Sequence, residues 1–495
     1  VATNTLSLSP SACYQALSAR DARFDGLFFF GVRSTGIYCR PVCKARTPMQ
    51  KNCQFFTHPA QAEGAGFRPC LRCRPELAPS PPLRWSTQDA SHTLAHQALA
   101  WMDQRAPHEG PWQVEALADR MGVGARHLRR ILQTHLGVTP SQYRQTQRLL
   151  RAKQLLTDTR LPMGQVATLS GFSSTRQFNR AFALHYQLQP TQCRRSGTLP
   201  APTRIRLSYR PPFDHAAMMH FWRQRAVPGL EWCEAHTPGG ESFARVVTLE
   251  VPGGICHGWV RWQFDPAVHQ VVVDISDNFW PHLSLCLMRL RWALDLDAEP
   301  LAMEAALKAD FPHGCGVRVP GAWNGFEVAV RAVLGQQVSV AAANTYAKRL
   351  VHSLGTPVTT PWTELTHAFP TPTQMLAASP DQIGALGIVK QRQKALHALA
   401  QAVCEGGLNL NPGGQVAERV QALMALPGIG AWTAQYIAMR AMRWPDAFPA
   451  GDLVVQQRLG LRHAPHPDRA AQEMAQRWQP WRSYAVLRLW HTQER

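Results

Sequence analysis

Residues 423–440 read LMALPGIGAWTAQYIAMR. An apolar helix end runs into Leu426-Pro427-Gly428-Ile429-Gly430, and a second helix opens at about Ala431. The proline stops the first helix. The two glycines let backbone N–H groups turn outward at the start of the second, where a helix offers unsatisfied donors to an anion. Residues 447–460 then read AFPAGDLVVQQRLG, which puts Asp452 behind a Pro/Gly stretch at a helix start. There a helix N-cap is its plain role, and the alternative is a carboxylate presented to a ligand. Trp432 and Tyr436 are four apart and share one helix face, while core packing is the plain role for Trp478 and Trp481.

Upstream, residues from 296 onward carry helical spacing almost throughout. Residues 243–275 alternate and favour β-branched side chains (ARVVTLEV, GWVRWQF, QVVVDI). A β-rich unit therefore precedes an all-helical one. Pro79, Pro81 and Pro82, and the stretch GTLPAPTR at 197–204, cannot continue a helix and mark two further breaks. The expected division is 1–80, 85–196, 203–295 and 296–495, in a multidomain chain that is mainly α with an α+β portion.

Within the second segment, LADRMGVGARHLRRILQTHLGVTP (117–140) repeats as VATLSGFSSTRQFNRAFALHYQLQP (166–190). Ala118 pairs with Ala167 and Gly122 with Gly171; after one inserted residue Arg130 pairs with Arg180 and Pro140 with Pro190. A small residue on the first helix and a glycine at the turn let two helices cross closely, as a helix-turn-helix requires. With a linking helix near 141–156, the pair resembles the two-headed DNA-binding domain of AraC-type regulators. The resemblance implies recognition helices at 125–135 and 174–185, offering Arg126, His127, Arg129, Arg130, Ser174, Thr175, Arg176, Gln177 and Arg180 to phosphates and base edges.

Cys39, Cys43, Cys70 and Cys73 form C-x3-C, a 26-residue gap and C-x2-C, a spacing suited to tetrahedral Zn2+. Cys13 and Cys53 stand outside it as small apolar residues. By spacing alone, the site is a structural zinc knuckle. The strings FFFGVRSTGIYCRPVCKAR and GFRPCLRCRPE closely resemble the N-terminal domain of Ada-type adaptive-response regulators over about residues 10–76. That resemblance implies that Cys39 is both ligand and nucleophile, taking a methyl group from a DNA methyl phosphotriester. Zinc keeps thiols deprotonated near neutral pH. Four thiolates on Zn2+ carry a formal −2, which repels phosphate but not a neutral triester. Methylation removes one negative charge beside Arg33, Arg40, Lys44, Arg46, Arg68 and Arg72, so affinity for DNA rises.

The hairpin, second helix, Pro/Gly loop and Asp452 closely resemble helix-hairpin-helix DNA glycosylases. More narrowly, FEVAVRAVLGQQVSVAAA (326–343), ALGIVKQRQKAL (385–396) and RWQPWRSYAVLRLW (477–490) resemble 3-methyladenine DNA glycosylase II, from about residue 203 onward. The resemblance implies that Asp452 stabilises oxocarbenium charge and positions water, that Trp432, Tyr436 and Trp490 hold a flipped base, and that Gly428 and Gly430 seat a DNA phosphate. No lysine follows the hairpin in the Schiff-base position, so hydrolysis is monofunctional. Lys390 and Lys394 read as phosphate contacts or solvated charges. Gln337 replaces the family's wedge leucine (GQQVS rather than GQLVS), which bears on lesion range. No PCHR sequence is present and Cys315 in HGCGV does not match it, so O6-methylguanine repair is not expected.

Lys and Arg exceed Asp and Glu by 52 to 33, a net +19 that favours a polyanionic partner. No apolar run of 18 residues and no secretory signal pattern are found, so the expected location is the cytoplasm, at the nucleoid. The resemblances imply alkylated and promoter double-stranded DNA and RNA polymerase as partners, and a monomer. The contrasting expectation is a damage-responsive transcription factor whose glycosylase fold is a non-catalytic platform.

Overall fold

A computed structural model describes residues 8–80, 113–195, 204–237, 240–251, 254–413 and 415–491, with a few positions between 91 and 102. Pro81, Pro82 and residues 197–203, read above as breaks, lie outside the described residues. The chain divides into two compact units. One comprises Val1–Pro211, Asp265–Asp274 and Trp280–Leu285; the other comprises Pro212–Phe264, Ile275–Phe279 and Cys286–Arg495.

The first unit opens with a four-stranded sheet in the order Cys53–Phe56, Phe29–Val32, Ile37–Cys39, Arg68–Pro69, antiparallel except for its last pair. Helix Pro10–Ser18 buries Cys13, Ala16 and Leu17 against Phe28, Phe30 and the cysteine cluster. Cys13 is thus core, and burial pushes its thiol up to about 11. Pro79 is buried, not a free linker residue. The fully buried Arg210 donates to Asp25 O (2.8 Å), Pro79 O (3.5 Å) and Ser80 O (2.6 Å). Gly26 has φ +73, and a Cβ there would meet Pro79 O at 2.1 Å, so this close approach needs glycine.

The internal repeat folds as two helix-turn-helix pairs, Val114–Arg120 with Ala125–Leu136, and Met163–Leu169 with Thr175–Tyr186, joined by Pro140–Asp158. The turn glycines Gly122 (φ +67) and Gly171 (φ +82) occupy the left-handed region, as the turn demands. Ala118 and Ala167 are buried at the crossings, and Leu128, Leu132 and Leu136 correspond to Phe178, Phe182 and Tyr186 in the two cores. Thr139 caps the linking helix in a capping box with Gln142.

Buried polar groups join the zinc sheet's surroundings to this linking helix. Lys153 meets Glu76 at 2.6 Å; Glu76 meets Arg74 at 3.0 Å, and Arg74 meets Asp158 at 2.7 Å. Glu63 accepts from Thr146 Oγ1 (2.6 Å) and Tyr38 Oη (3.1 Å). The first unit also contains strand Ile205–Ser208, paired antiparallel with Gln270–Ile275.

In the second unit, Glu231–Thr237, Gly240–Val251 and Gly254–Asp265 run as an antiparallel meander. Strands Ile205–Ser208 and Glu231–Thr237 therefore lie upstream of the 243–275 stretch whose alternation marks strand. Helices already occur before position 296, at His215–Gln224 and Leu283–Ala293. The second unit's core is helix Gly325–Leu334, buried from Phe326 to Val330 and again from Ala332 to Leu334. Its Glu327 and Arg331 pair with Arg245 and Glu231 of the meander at 2.6 and 3.0 Å. Around it stand Val340–Leu354, Lys390–Cys404, Val416–Met424, Ala431–Arg440, Leu453–Arg458 and Arg482–His491.

Burial pushes the Glu63 carboxyl up to about 7, against the pull of Thr146, Tyr38 and Lys153. Its neutral form is therefore favoured by the fold. This stabilisation is complete below the ordinary value of 4.5 and is lost as pH rises toward 7. Urea unfolding of the zinc-loaded chain should lose on the order of 1–3 kcal/mol across that window, and Glu63→Gln should flatten the slope.

Candidate functional site

Cys39 ends a strand, Cys43 follows the turn after it, and Cys70 and Cys73 lie on the loop leaving Arg68–Pro69. The four Sγ atoms all lie within 4.8 Å of one another. A tetrahedral ion with Zn–S of about 2.3 Å needs sulfurs about 3.8 Å apart, and four thiols with no competing carboxylate are the donor set zinc takes. Cys39, Cys43 and Cys70 are buried and Cys73 is half-buried. The backbone N–H of Arg40 donates to Cys73 Sγ at 3.3 Å. Cys53 stands apart, half-buried.

Of the cations expected beside this cluster, Arg33, Lys44, Arg46 and Arg72 are exposed and Arg68 is half-buried. Arg40 departs from that expectation: it is only 4% exposed, and its guanidinium is paired with Asp25 and donates to Cys73 O (3.0 Å). Its charge is spent inside the domain rather than facing a phosphate.

On the helix-turn-helix pairs, Arg126, His127, Arg129, Arg130, Ser174, Arg176, Gln177 and Arg180 are exposed, and Thr175 is half-buried. Arg129 pairs with Glu115. The Gln177 carboxamide oxygen accepts from Ser173 N (3.0 Å) and Oγ (2.9 Å), and Ser174 caps the helix. These contacts fix the N-terminal turn that displays Arg176, one turn before Arg180.

In the helical unit, the hairpin lies between Val416–Met424 and Ala431–Arg440. Gly428 has φ +77 and packs against Lys390–Cys404, where a Cβ would stand 3.1 Å from Ala395 Cβ. Gly430 is the N-cap at φ −87, and a Cβ there would meet nothing within 4 Å. Its glycine answers no need of its own backbone or neighbours, and it leaves the backbone N–H groups open to an outside partner. Lys390 and Lys394 are exposed.

Asp452 is the N-cap of Leu453–Arg458, and Oδ1 accepts from Val455 N at 3.0 Å. Capping is only part of its environment. Trp432 Nε1 donates to Oδ2 at 2.8 Å and Trp490 Nε1 to Oδ1 at 3.2 Å. Three donors fill three of roughly four acceptor positions of the carboxylate, fixing its orientation and leaving one for a further partner. The residue is 8% exposed. Arg482 and Ser483, at the start of the last helix, bind Asp446, Ala447 and Trp444 on the loop leading to Asp452. The same helix thus delivers Trp490 to the carboxylate and holds the loop that carries it.

Trp432 and Tyr436 stack on each other with centroids 5.3 Å apart and planes 17° apart; Trp490 lies 6.2 Å from Tyr436, tilted 40°. All three are half-buried. They form one wall and a tilted edge. Arg440 donates to Tyr436 Oη at 2.7 Å. Burial alone raises the Tyr436 phenol, but Arg440, Arg225 and Arg331 outweigh it and hold the phenol below its ordinary value. Trp478 is core, 1% exposed, with Nε1 on Asp310 Oδ2 at 2.8 Å, while Trp481 is half-buried against Tyr484. Gln337 stands exposed at φ +55 in the loop before Val340–Leu354.

The donors to Asp452, the Arg440 contact and the Asp25 partner of Arg40 went unmarked in the sequence. Only Arg440 has a local signal, four residues after Tyr436 on the same helix face.

Four family models match the chain. They are the metal binding domain of Ada at 12–76, a helix-turn-helix domain at 117–196, the AlkA N-terminal domain at 204–324, and the HhH-GPD superfamily base excision DNA repair protein at 330–483. Over 97% of its length the chain is 39% identical to the probable bifunctional transcriptional activator/DNA repair enzyme AlkA of Mycobacterium tuberculosis (strain ATCC 25618 / H37Rv), covering 96% of that protein. The chain belongs to this bifunctional AlkA family. Two Escherichia coli (strain K12) proteins each match part of it. DNA-3-methyladenine glycosylase 2 is 34% identical over 58% of this chain and 96% of its own length. The bifunctional transcriptional activator/DNA repair enzyme Ada is 38% identical over 29% of this chain and 37% of its own. Zn2+ is accordingly the cofactor of the cysteine cluster.

Two outcomes test this geometry. Cys70→Ser is expected to drop bound zinc, read by elemental analysis, from about one ion per chain to near zero, and chelation to lower the melting temperature. Asp452→Ala should cost about 1 kcal/mol or more through loss of the cap, whereas Asp452→Asn, which keeps the cap but turns an amide NH2 toward Trp432 Nε1, should cost less than Asp452→Ala.

Proposed function

We propose that this AlkA-family chain repairs alkylated DNA by two chemistries and regulates transcription in response. It is a DNA-3-methyladenine glycosylase II-type N-glycosyl hydrolase joined to an Ada-type methyl acceptor and regulator. The observation that carries the hydrolytic assignment is the Asp452 carboxylate, held by Trp432 and Trp490 beside the Trp432/Tyr436 wall.

An alkylated purine carries positive charge and a weakened glycosidic bond, so its departure needs little protonation. The flipped base stacks on the partly exposed Trp432/Tyr436 pair, where cation–π attraction contributes about 0.5–2 kcal/mol per contact. As the C1′–N bond breaks, the electron pair leaves with the base. Asp452 faces the resulting oxocarbenium charge, and its remaining acceptor position takes the proton released by the water that adds to C1′, passing it to solvent. Its three fixed donors mean that the charge need not reorient during the reaction. No lysine stands on the helix after the hairpin, which fits simple hydrolysis.

In the methyl-acceptor domain, the Cys39 sulfur attacks the methyl carbon of a phosphotriester. The S–C bond forms, the O–CH3 bond breaks, and the electron pair stays on oxygen, restoring an anionic phosphodiester. Bound Zn2+ supplies thiolate character to the cysteines. One negative charge is lost at sulfur, so the surface that carries Arg33, Lys44, Arg46, Arg68 and Arg72 binds DNA more tightly. Arg40 supports this surface from within through Asp25. Arg126, Arg129, Arg130, Arg176, Gln177 and Arg180 contact the promoter, Gly428 and Gly430 seat a phosphate, and Gln337 fills the gap left by the flipped nucleotide. The working division is 1–80, 85–196, 203–295 and 296–495. Promoter-bound protein engages RNA polymerase, and the chain acts as a monomer at the nucleoid in the cytoplasm. Among the described residues, no helix is long and apolar enough to cross a membrane.

DNA carrying labelled methyl groups separates the two chemistries. Wild type should release labelled base and retain label on the protein. Asp452→Asn should lose base release by roughly 100- to 1000-fold with protein labelling intact. Cys39→Ser should do the reverse, with the mass gain of about 14 lost from its peptide. Full base release by Asp452→Asn, or labelling that survives Cys39→Ser, contradicts the assignment.

A further inference from the structure

Gln337 stands at the tip of its loop in the left-handed backbone region, a conformation that costs a non-glycine residue on the order of 1 kcal/mol and persists only where neighbours enforce it. The enforcement comes from the residue before it. Gln336 Nε2 donates to Gly428 O at 2.9 Å and to Thr433 Oγ1 at 3.0 Å. Gly428 O can only accept, which assigns the amide nitrogen to that side. Arg392 of Lys390–Cys404 donates to the backbone oxygen of Gln336 and lies 5.7 Å from the Tyr346 ring of Val340–Leu354. Ser339 caps the following helix through Ala342 N at 3.3 Å. The loop is thus gripped by the hairpin, by the first turn of Ala431–Arg440 and by Lys390–Cys404.

We infer that Gln336 is a positioning residue that locks the Gln337 wedge to the phosphate-seating hairpin, so that anchoring the backbone and prising out a nucleotide occur in one rigid step. The inference rests on the base-excision reading above and adds a role that touches neither the reacting atoms nor Asp452. A wedge with a polar, flexible tip depends more on such a lock than an apolar one does. An apolar tip is held in the stack by its own burial, whereas Gln337 gains less from entering it. Thr433 shares the hairpin helix with Trp432, so the same two hydrogen bonds set the spacing between wedge and aromatic wall.

The lock acts on extrusion, not on bond cleavage, and this separates it from a general structural role. Single-turnover excision is measured on two duplexes carrying one alkylated purine, opposite its normal partner or opposite an abasic site. Gln336→Ala should slow excision from the paired duplex by about ten-fold, the loss of two modest hydrogen bonds, and leave the unpaired one within about two-fold of wild type. Gln336→Glu, which cannot donate to Gly428 O, should behave likewise. Unchanged melting curves guard against misfolding. Equal slowing on both duplexes, or none on either, overturns the inference. Fluorescence of 2-aminopurine beside the flipping position reads extrusion with no bond broken. If wild type released no base, the excision reading would fail, while a fluorescence rise in wild type absent from Gln336→Ala would still support the lock, and equal rises would overturn it.

Discussion

Three N–H groups converge on the Asp452 carboxylate, and much of the helical unit is arranged to bring them there. Val455 arrives with the helix that Asp452 caps, Trp432 with the helix that follows the hairpin, and Trp490 with the last helix, some 40 residues downstream. A carboxylate so placed is a fixed negative charge in a largely buried setting, where an electrostatic contribution to a cationic transition state is greatest. The aromatic wall is coupled to it directly, because Trp432 both stacks on Tyr436 and donates to Asp452. N-cap and catalytic group are therefore compatible roles for one residue, each using part of the same acceptor capacity.

The methyl-acceptor domain solves a different electrostatic problem. Its four cysteines cluster with exposed cations on the same domain, and Asp25 neutralises the buried Arg40. In the proposed methyl transfer, the exposed cations, not Arg40, answer a change of charge at Cys39. The domain is not an isolated bead on the chain. Arg210 ties Asp25, Pro79 and Ser80 together, and the Glu76–Lys153 and Glu63–Thr146 contacts join the zinc sheet's surroundings to the linking helix of the regulator. Buried charges in this position cost desolvation unless each is matched, and a matched set specifies one docking geometry.

What could be read from the sequence was what is local or periodic. The cysteine spacing, the repeated Ala-x3-Gly of the two helix turns and the hairpin before Ala431 each fit inside a few helical turns or one loop, so type and place were legible together. Strands Ile205–Ser208 and Glu231–Thr237 were not: the first has only four residues, and the second, EWCEAHT, lacks the β-branched run that marks 270–275. The candidate site was legible in its membership but not in its wiring. Asp452, Trp432, Tyr436 and Trp490 lie together, yet the indole donors to Asp452 span 20 and 38 residues, and Gln336 reaches Gly428 across 92. Arg40 was misread for the same reason, since its pairing with Asp25 depends on the fold of the sheet and not on spacing.

The central claim is that Asp452 acts by position as well as by charge. Single-turnover base excision by Asp452→Glu tests it, because this change keeps the negative charge and moves it by one methylene out of the reach of Trp432, Trp490 and Val455. The account predicts a loss of at least about 100-fold, approaching the effect of removing the charge. Excision by Asp452→Glu within a few-fold of wild type would contradict it.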